Sequence, residues 1–118
     1  MKKFLILYLS PVPARQQMAQ ATPEQAKGGM DRWMAWAQQA GRAIVDLGGP
    51  LGDVGATHSK VVGFSILQAN STDEIERLLK DHPHNRDVGG SFEVHEFLEI
   101  PGMSRGKAVE PGFEPAGR

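Results

Sequence analysis

Six consecutive apolar residues, Phe4-Leu5-Ile6-Leu7-Tyr8-Leu9, open the chain and end at Ser10-Pro11-Val12-Pro13. The run is too short for a helix and shows no alternation, so it reads as a strand buried on both faces. Pro11 and Pro13 end it, because proline cannot donate to a sheet ladder. A strand of this kind needs neighbours in a sheet and a layer packed against each side. The whole chain has 118 residues, which suits one domain. It contains no cysteine, so no disulfide, thiol nucleophile, zinc ribbon or iron–sulfur ligand set can assist. The fold must be held by its core.

The remaining elements follow from caps and periodicity. Residues 14 to 22 read as polar and flexible. Thr22-Pro23-Glu24-Gln25 has the signature of a capping box, and Ala26, Met30, Trp33 and Ala37 form one apolar stripe behind it. A helix is expected over residues 23 to 40, ending at Gly41. Ala43 to Leu47 is a strand candidate, with Ile44 and Asp46 on one face and Ala43, Val45 and Leu47 on the other. The glycine-rich stretch 48 to 53 reads as a turn or loop. Residues 61 to 68 form a strand, with Val62, Phe64 and Ile66 facing away from Val61, Gly63, Ser65 and Leu67. Ser71-Thr72-Asp73-Glu74 is a second capping signature, and Ile75, Leu78 and Leu79 follow as a short stripe. Pro83 disfavours helical geometry at His82, so this helix should end near Asp81. Residues 91 to 100 alternate as a fourth strand, Phe92 and Val94 against Glu93, His95 and Phe97.

The order β-α-β-β-α-β is that of a ferredoxin-like α+β domain: a four-stranded antiparallel sheet with two helices on one face. Both faces of the first and third strands are largely apolar. Two helices cover one face, so the other is expected to pack against a second copy. The domain should span residues 1 to 100. Residues 101 to 118, rich in proline and glycine, read as a tail, with Met103 and Phe113 as the positions that would pin it.

Several function classes are disfavoured. Thirteen basic residues against fourteen acidic ones give a net charge of -1, without the basic excess expected of a nucleic-acid binder. No stretch approaches the length of a membrane span. Met1-Lys2-Lys3 and the apolar run imitate a signal peptide but lack a cleavage site, so the cytoplasm is the expected compartment. The glycine-rich loop lacks the lysine-serine/threonine ending of a phosphate loop.

Three further segments stand in a fixed order. They are Gly63-Phe64-Ser65-Ile66-Leu67-Gln68-Ala69-Asn70-Ser71, then His82-Pro83-His84, then Gly89-Gly90-Ser91-Phe92-Glu93-Val94. In this order and spacing they resemble the second half of YCII-related proteins. The resemblance implies a dimeric α+β barrel. Relatives sharing that barrel include a dehydrochlorinase of chlorinated hydroxyquinols, muconolactone isomerases and cofactor-free monooxygenases. Some members carry a helix histidine thought to pair with an aspartate; Arg32 stands near that position here. Gly49-Pro50-Leu51-Gly52 replaces the D-G-P-F motif of another branch. Neither member of that chemistry transfers directly.

His84 is the first candidate for acid/base chemistry. It lies just past a helix C-terminus, which favours a cation, and it matches the P-H motif of the family. Asp46, the odd carboxylate of the second strand, and His58, in the loop before the third, are candidates for its polar partner. Tyr8 and Trp33 are candidates for the wall of a ligand pocket. His82 reads as a helix-capping residue and His95 as a structural one. His82-x-His84 has metal-capable spacing but no evident third ligand, so neither a metal nor an organic cofactor is expected. These residues suggest a cofactor-independent isomerase or lyase acting on a small cyclic or aromatic metabolite, by analogy at the level of fold. The rival reading is a homodimer that binds a small molecule or another protein without catalysis.

Overall fold

The computed structural model describes residues 1–86 and 89–102. The elements are β1 (Lys2–Leu9), α1 (Ala14–Gln20), α2 (Pro23–Ala40), β2 (Ile44–Pro50), β3 (Val61–Ala69), α3 (Thr72–Lys80) and β4 (Ser91–Glu96). The sheet order is β2-β3-β1-β4, and every neighbouring pair is antiparallel. This is the ferredoxin-like α+β arrangement. The tail expected at residues 101 to 118, with Met103 and Phe113, lies almost wholly outside the described residues.

The capping signatures form as the sequence implies. The Thr22 hydroxyl accepts the Gln25 backbone N–H at 3.1 Å, and the Gln25 side chain accepts the Thr22 N–H at 2.9 Å. Ser71 accepts the Glu74 N–H at 3.3 Å, but the Glu74 carboxylate reaches past the cap to the Asn70 N–H. The helix at Ala14–Gln20 corrects the reading of residues 14 to 22 as flexible. Alanine, arginine, glutamine and methionine are all good helix formers, and polarity alone concealed this. The side chain of Gln17 ties the helix back to the Val12 carbonyl at 2.7 Å.

One sheet face is closed. Phe4, Ile6 and Tyr8 of β1 and Leu67 and Ala69 of β3 are buried against Trp36 of α2 and Ile75 and Leu79 of α3. Each large side chain so buried contributes roughly 1.5–3 kcal/mol. The buried stripe of α2 is Trp33, Trp36, Ala37 and Ala40. Met30, expected on that stripe, is 61% exposed instead. The other sheet face carries Leu5 opposite Ile66 and Leu7 opposite Phe64, all half-buried in the single chain.

The glycine-rich stretch is a loop only from Leu51 to Asp53. Gly48-Gly49-Pro50 lies within β2, whose register slips twice, between Ile44 and Asp46 and between Asp46 and Gly49. The extra residues let Ile44 and Leu47 both pack on the core, against strict alternation. Gly48 has φ +75°, and a Cβ there would stand 1.8 Å from the Phe64 carbonyl oxygen. Only glycine fits that bulge. A third register shift, between Tyr8 and Leu9, accompanies the packing of Val62 on the core rather than beside Phe64 and Ile66.

Candidate functional site

At one end of the closed layer the core changes from aliphatic to aromatic and polar. α3 stops at Lys80, and the chain enters a tight 3-10 turn over Pro83–Arg86. Pro83 has no N–H and disfavours a helical residue before it. The Asn85 side chain caps the helix by donating to the Leu79 and Lys80 carbonyls. The turn thereby sends both His82 and His84 inward.

His82 has no solvent exposure and His84 has 5%. The His82 ring lies 4.4 Å from each of the Trp33 and Trp36 rings, centre to centre. Tyr8 lies 5.0 Å away and Phe92 5.5 Å away. His84 touches the same Tyr8 and Phe92 rings at 5.4 and 5.3 Å. The two histidines, Tyr8, Trp33, Trp36 and Phe92 therefore form one cluster. It spans β1, α2, the 3-10 turn and β4.

The hydrogen bonds fix the protons. The backbone N–H of His84 donates to Nδ1 of His82 at 3.0 Å. Nδ1 is then the acceptor nitrogen, and neutral His82 carries its proton on Nε2. Burial, and secondarily the nearby His84, press the His82 imidazole down to about 3, so it stays neutral at physiological pH. Nε2 of His84 lies 2.8 Å from the Leu9 carbonyl oxygen, which can only accept. Neutral His84 thus carries its proton on Nε2 and its lone pair on Nδ1.

Tyr8 is tied to the sheet. Ser65 donates its hydroxyl to the Leu47 carbonyl at 2.5 Å, so the Tyr8 hydroxyl donates to Ser65 Oγ, also at 2.5 Å. Burial outweighs this hydrogen bond and pushes the phenol up to about 12. The Tyr8 ring has room because Gly63 lies beneath it: a Cβ at Gly63 would stand 3.2 Å from Tyr8 Cδ2.

The structure thus gathers His84, Tyr8 and Trp33 but not Asp46 or His58. Asp46 is exposed on the edge strand β2, where its Oδ1 accepts the Gly48 N–H at 2.8 Å. The bulge turns its carboxylate outward, and it does not touch His84. His58 is exposed in the loop between β2 and β3, with no side-chain partner among the described residues. Tyr8, a candidate for the pocket wall, lies in the cluster with its hydroxyl directed to Ser65. His82, read as a helix cap, is instead a buried member of the cluster. One signal was available: Ile75, Leu78, Leu79 and His82 continue a single stripe at i, i+3, i+4 and i+7. Ser65 and Phe92 stood on buried faces of their strands without any mark of function.

A groove of about 300 Å³ lies between α2 and α3, lined by residues that include Trp36, Gln39, Arg77, Leu78 and Asp81. Trp36, shared with the cluster, donates Nε1–H to the Leu78 carbonyl at 2.9 Å. Among the described residues, no group of three His, Asp or Glu side chains could hold a metal ion. No described helix is long and apolar enough to cross a membrane.

No family model matches the chain, and no curated protein does. A solved structure is similar in fold. It is the 5-chloro-2-hydroxyhydroquinone dehydrochlorinase of Burkholderia phenoliruptrix, in complex with 2,5-dihydroxybenzoquinone. The TM-score is 0.55 at 19% sequence identity, over 84% of this chain and 96% of the other. At that identity the likeness shows the fold alone, an antiparallel α+β domain.

Proposed function

We propose that the chain is a cofactor-independent isomerase or lyase acting on a small cyclic or aromatic compound, as a cytoplasmic homodimer. The observation that carries this reading is the convergence of two buried histidines with Tyr8, Trp33 and Phe92 at one end of the sheet. Aromatic walls with a few placed polar groups suit a small planar ligand. The dehydrochlorinase of similar fold, seen with a dihydroxybenzoquinone, supports the same class by analogy.

His84 is the acid/base group. Its imidazole takes a proton from a ring carbon of the ligand while the Leu9 carbonyl positions Nε2. Return of the proton to another ring carbon completes an isomerisation. Loss of a leaving group with the electron pair completes an elimination. Asp46 and His58 take no part. The second reading, a binding dimer without catalysis, is favoured by one observation: the His84–Leu9 contact also anchors the turn to β1.

The test is solvent deuterium incorporation. Cyclic enones, lactones and chlorinated hydroquinones are incubated with the protein in D2O and followed by NMR. Exchange or elimination by the wild type, with loss of about 100-fold or more in His84→Ala, supports acid/base catalysis. An unchanged rate in a folded His84→Ala would remove His84 from the reaction. Ligand binding without exchange in the wild type would favour the binding dimer. The homodimer is supported by the apolar outer face of Leu5, Leu7, Phe64 and Ile66. Leu7→Lys should halve the mass in solution light scattering, and a wild-type monomer would exclude the dimer.

A further inference from the structure

The acid/base reading leaves His82 unused, although it is the most enclosed polar side chain of the cluster. Its Nε2 is a buried side-chain atom without a hydrogen-bond partner among the described residues. The ring is wholly buried, and the acceptor role of Nδ1 is fixed by the His84 backbone N–H. Nε2–H is therefore a donor held in one orientation with nothing to receive its proton. The Trp33 and Trp36 rings, with centres 4.4 Å from that of His82, offer at most a weak N–H···π contact. Orphaned buried donors are rare in folded proteins and carry a desolvation cost.

We infer that His82 Nε2–H is the specificity-determining donor of this site, selecting an uncharged planar ring that bears a carbonyl oxygen. The rings around it set the shape. Tyr8 and Trp36 are buried, and Trp33 and Phe92 are half-buried, so these two form the outer margin of the cluster. The chemistry around it sets the charge. The described cluster contains no lysine or arginine, and His82 itself stays neutral. A carboxylate would lose its hydration there without gaining a cation. A carbonyl needs only one donor, and a neutral imidazole N–H also stabilises negative charge as it develops on that oxygen. This inference rests on the small-molecule reading of the same cluster, but it concerns binding and can fail separately.

Three probes of similar shape separate the terms: acetophenone, its isostere α-methylstyrene, and benzoate. They are titrated into the full-length protein while the histidine ring nitrogens are followed by long-range 1H–15N NMR. Acetophenone should bind about three- to tenfold more tightly than α-methylstyrene, the worth of one neutral hydrogen bond. Benzoate should bind more weakly than acetophenone. Only acetophenone should shift the His82 Nε2 resonance strongly. His82→Phe should abolish the preference for acetophenone, and His82→Gln, which keeps a donor, should restore part of it. The wild-type spectra decide the matter even if a variant fails to fold. Equal binding of acetophenone and α-methylstyrene, or an unmoved Nε2 signal, overturns the role of His82 and leaves the small-molecule site standing. Preference for benzoate, or no binding by any probe, also overturns the inference; the His84 reading is judged independently by deuterium exchange.

Discussion

The two ends of the layer between sheet and helices are built on opposite principles. Around Phe4, Leu67, Ile75 and Leu79 the interior is apolar and meets its requirements by packing alone. Around Tyr8, Ser65, His82 and His84 it is polar and aromatic. The Tyr8 and Ser65 hydroxyls and His84 Nε2–H each have a receiver, whereas His82 Nε2–H has none among the described residues. The first end supplies stability in proportion to buried area. The second gives up part of that stability to hold oriented polar groups, and such local conflicts between foldability and composition tend to mark functional sites. One helix, α3, joins the two. Its stripe begins at Ile75 in the apolar end and runs out at His82 in the polar one.

Substitutions can sharpen or break this contrast. Ile75→Ala should have the largest effect on folding, lowering stability by about 2–5 kcal/mol in chemical denaturation while leaving ligand preference unchanged. A loss below about 1 kcal/mol would mean that the apolar end is less tightly packed than its burial implies.

The polar end should dominate the response to acid. The folded-state pKa of His82 lies near 3, below the ordinary value of 6.5 that applies on unfolding. The unfolded chain therefore binds more protons between those values. The contribution of neutral His82 is fully present above pH 6.5 and is lost progressively as pH falls toward 3. Denaturation midpoints between pH 7 and 4 should fall more steeply for the wild type than for His82→Phe. Parallel curves would show that His82 is not buried neutral.

Tyr8→Phe keeps the ring and removes the hydroxyl that donates to Ser65, so it should cost about 1 kcal/mol. The same variant should abolish the alkaline loss of stability between pH 10 and about 12, where the folded phenol resists ionisation. The smallest effect should come from Asp46→Ala. Its carboxylate is exposed and, among the described residues, holds only the Gly48 N–H, so stability should change by roughly 0.5 kcal/mol or less. Deuterium exchange dependent on His84 should be unaltered. A loss of exchange in Asp46→Ala would return Asp46 to the site.

Much of the scaffold was legible in residue order. The caps at Thr22 and Ser71, the stop before Pro83, the alternation in β3 past Val62 and that in β4, which ends at Glu96 rather than Ile100, are local signals, and each produces its element by short-range hydrogen bonding or sterics. The site was legible only in part. His84, Tyr8 and Trp33 could be singled out by residue type and position. Asp46 could not be excluded, because strict alternation counts no bulge, and the bulge depends on how Gly48 approaches the Phe64 carbonyl on another strand. His82 was assigned to a helix end because local reasoning stops where the helix stops.

The sequence by itself determined the antiparallel α+β architecture and the two-sided apolar character of its central strands. Those properties follow from periodicity and from residues that cap or break elements, which act over a few positions. Only the tertiary structure decided which polar groups meet. Whether a donor finds an acceptor depends on atoms brought together across β1, α2, β4 and the turn after α3. Over that distance in sequence no spacing rule operates. The proton on His82 is without a receiver for the same reason: its neighbours in space are aromatic rings contributed by three separate elements.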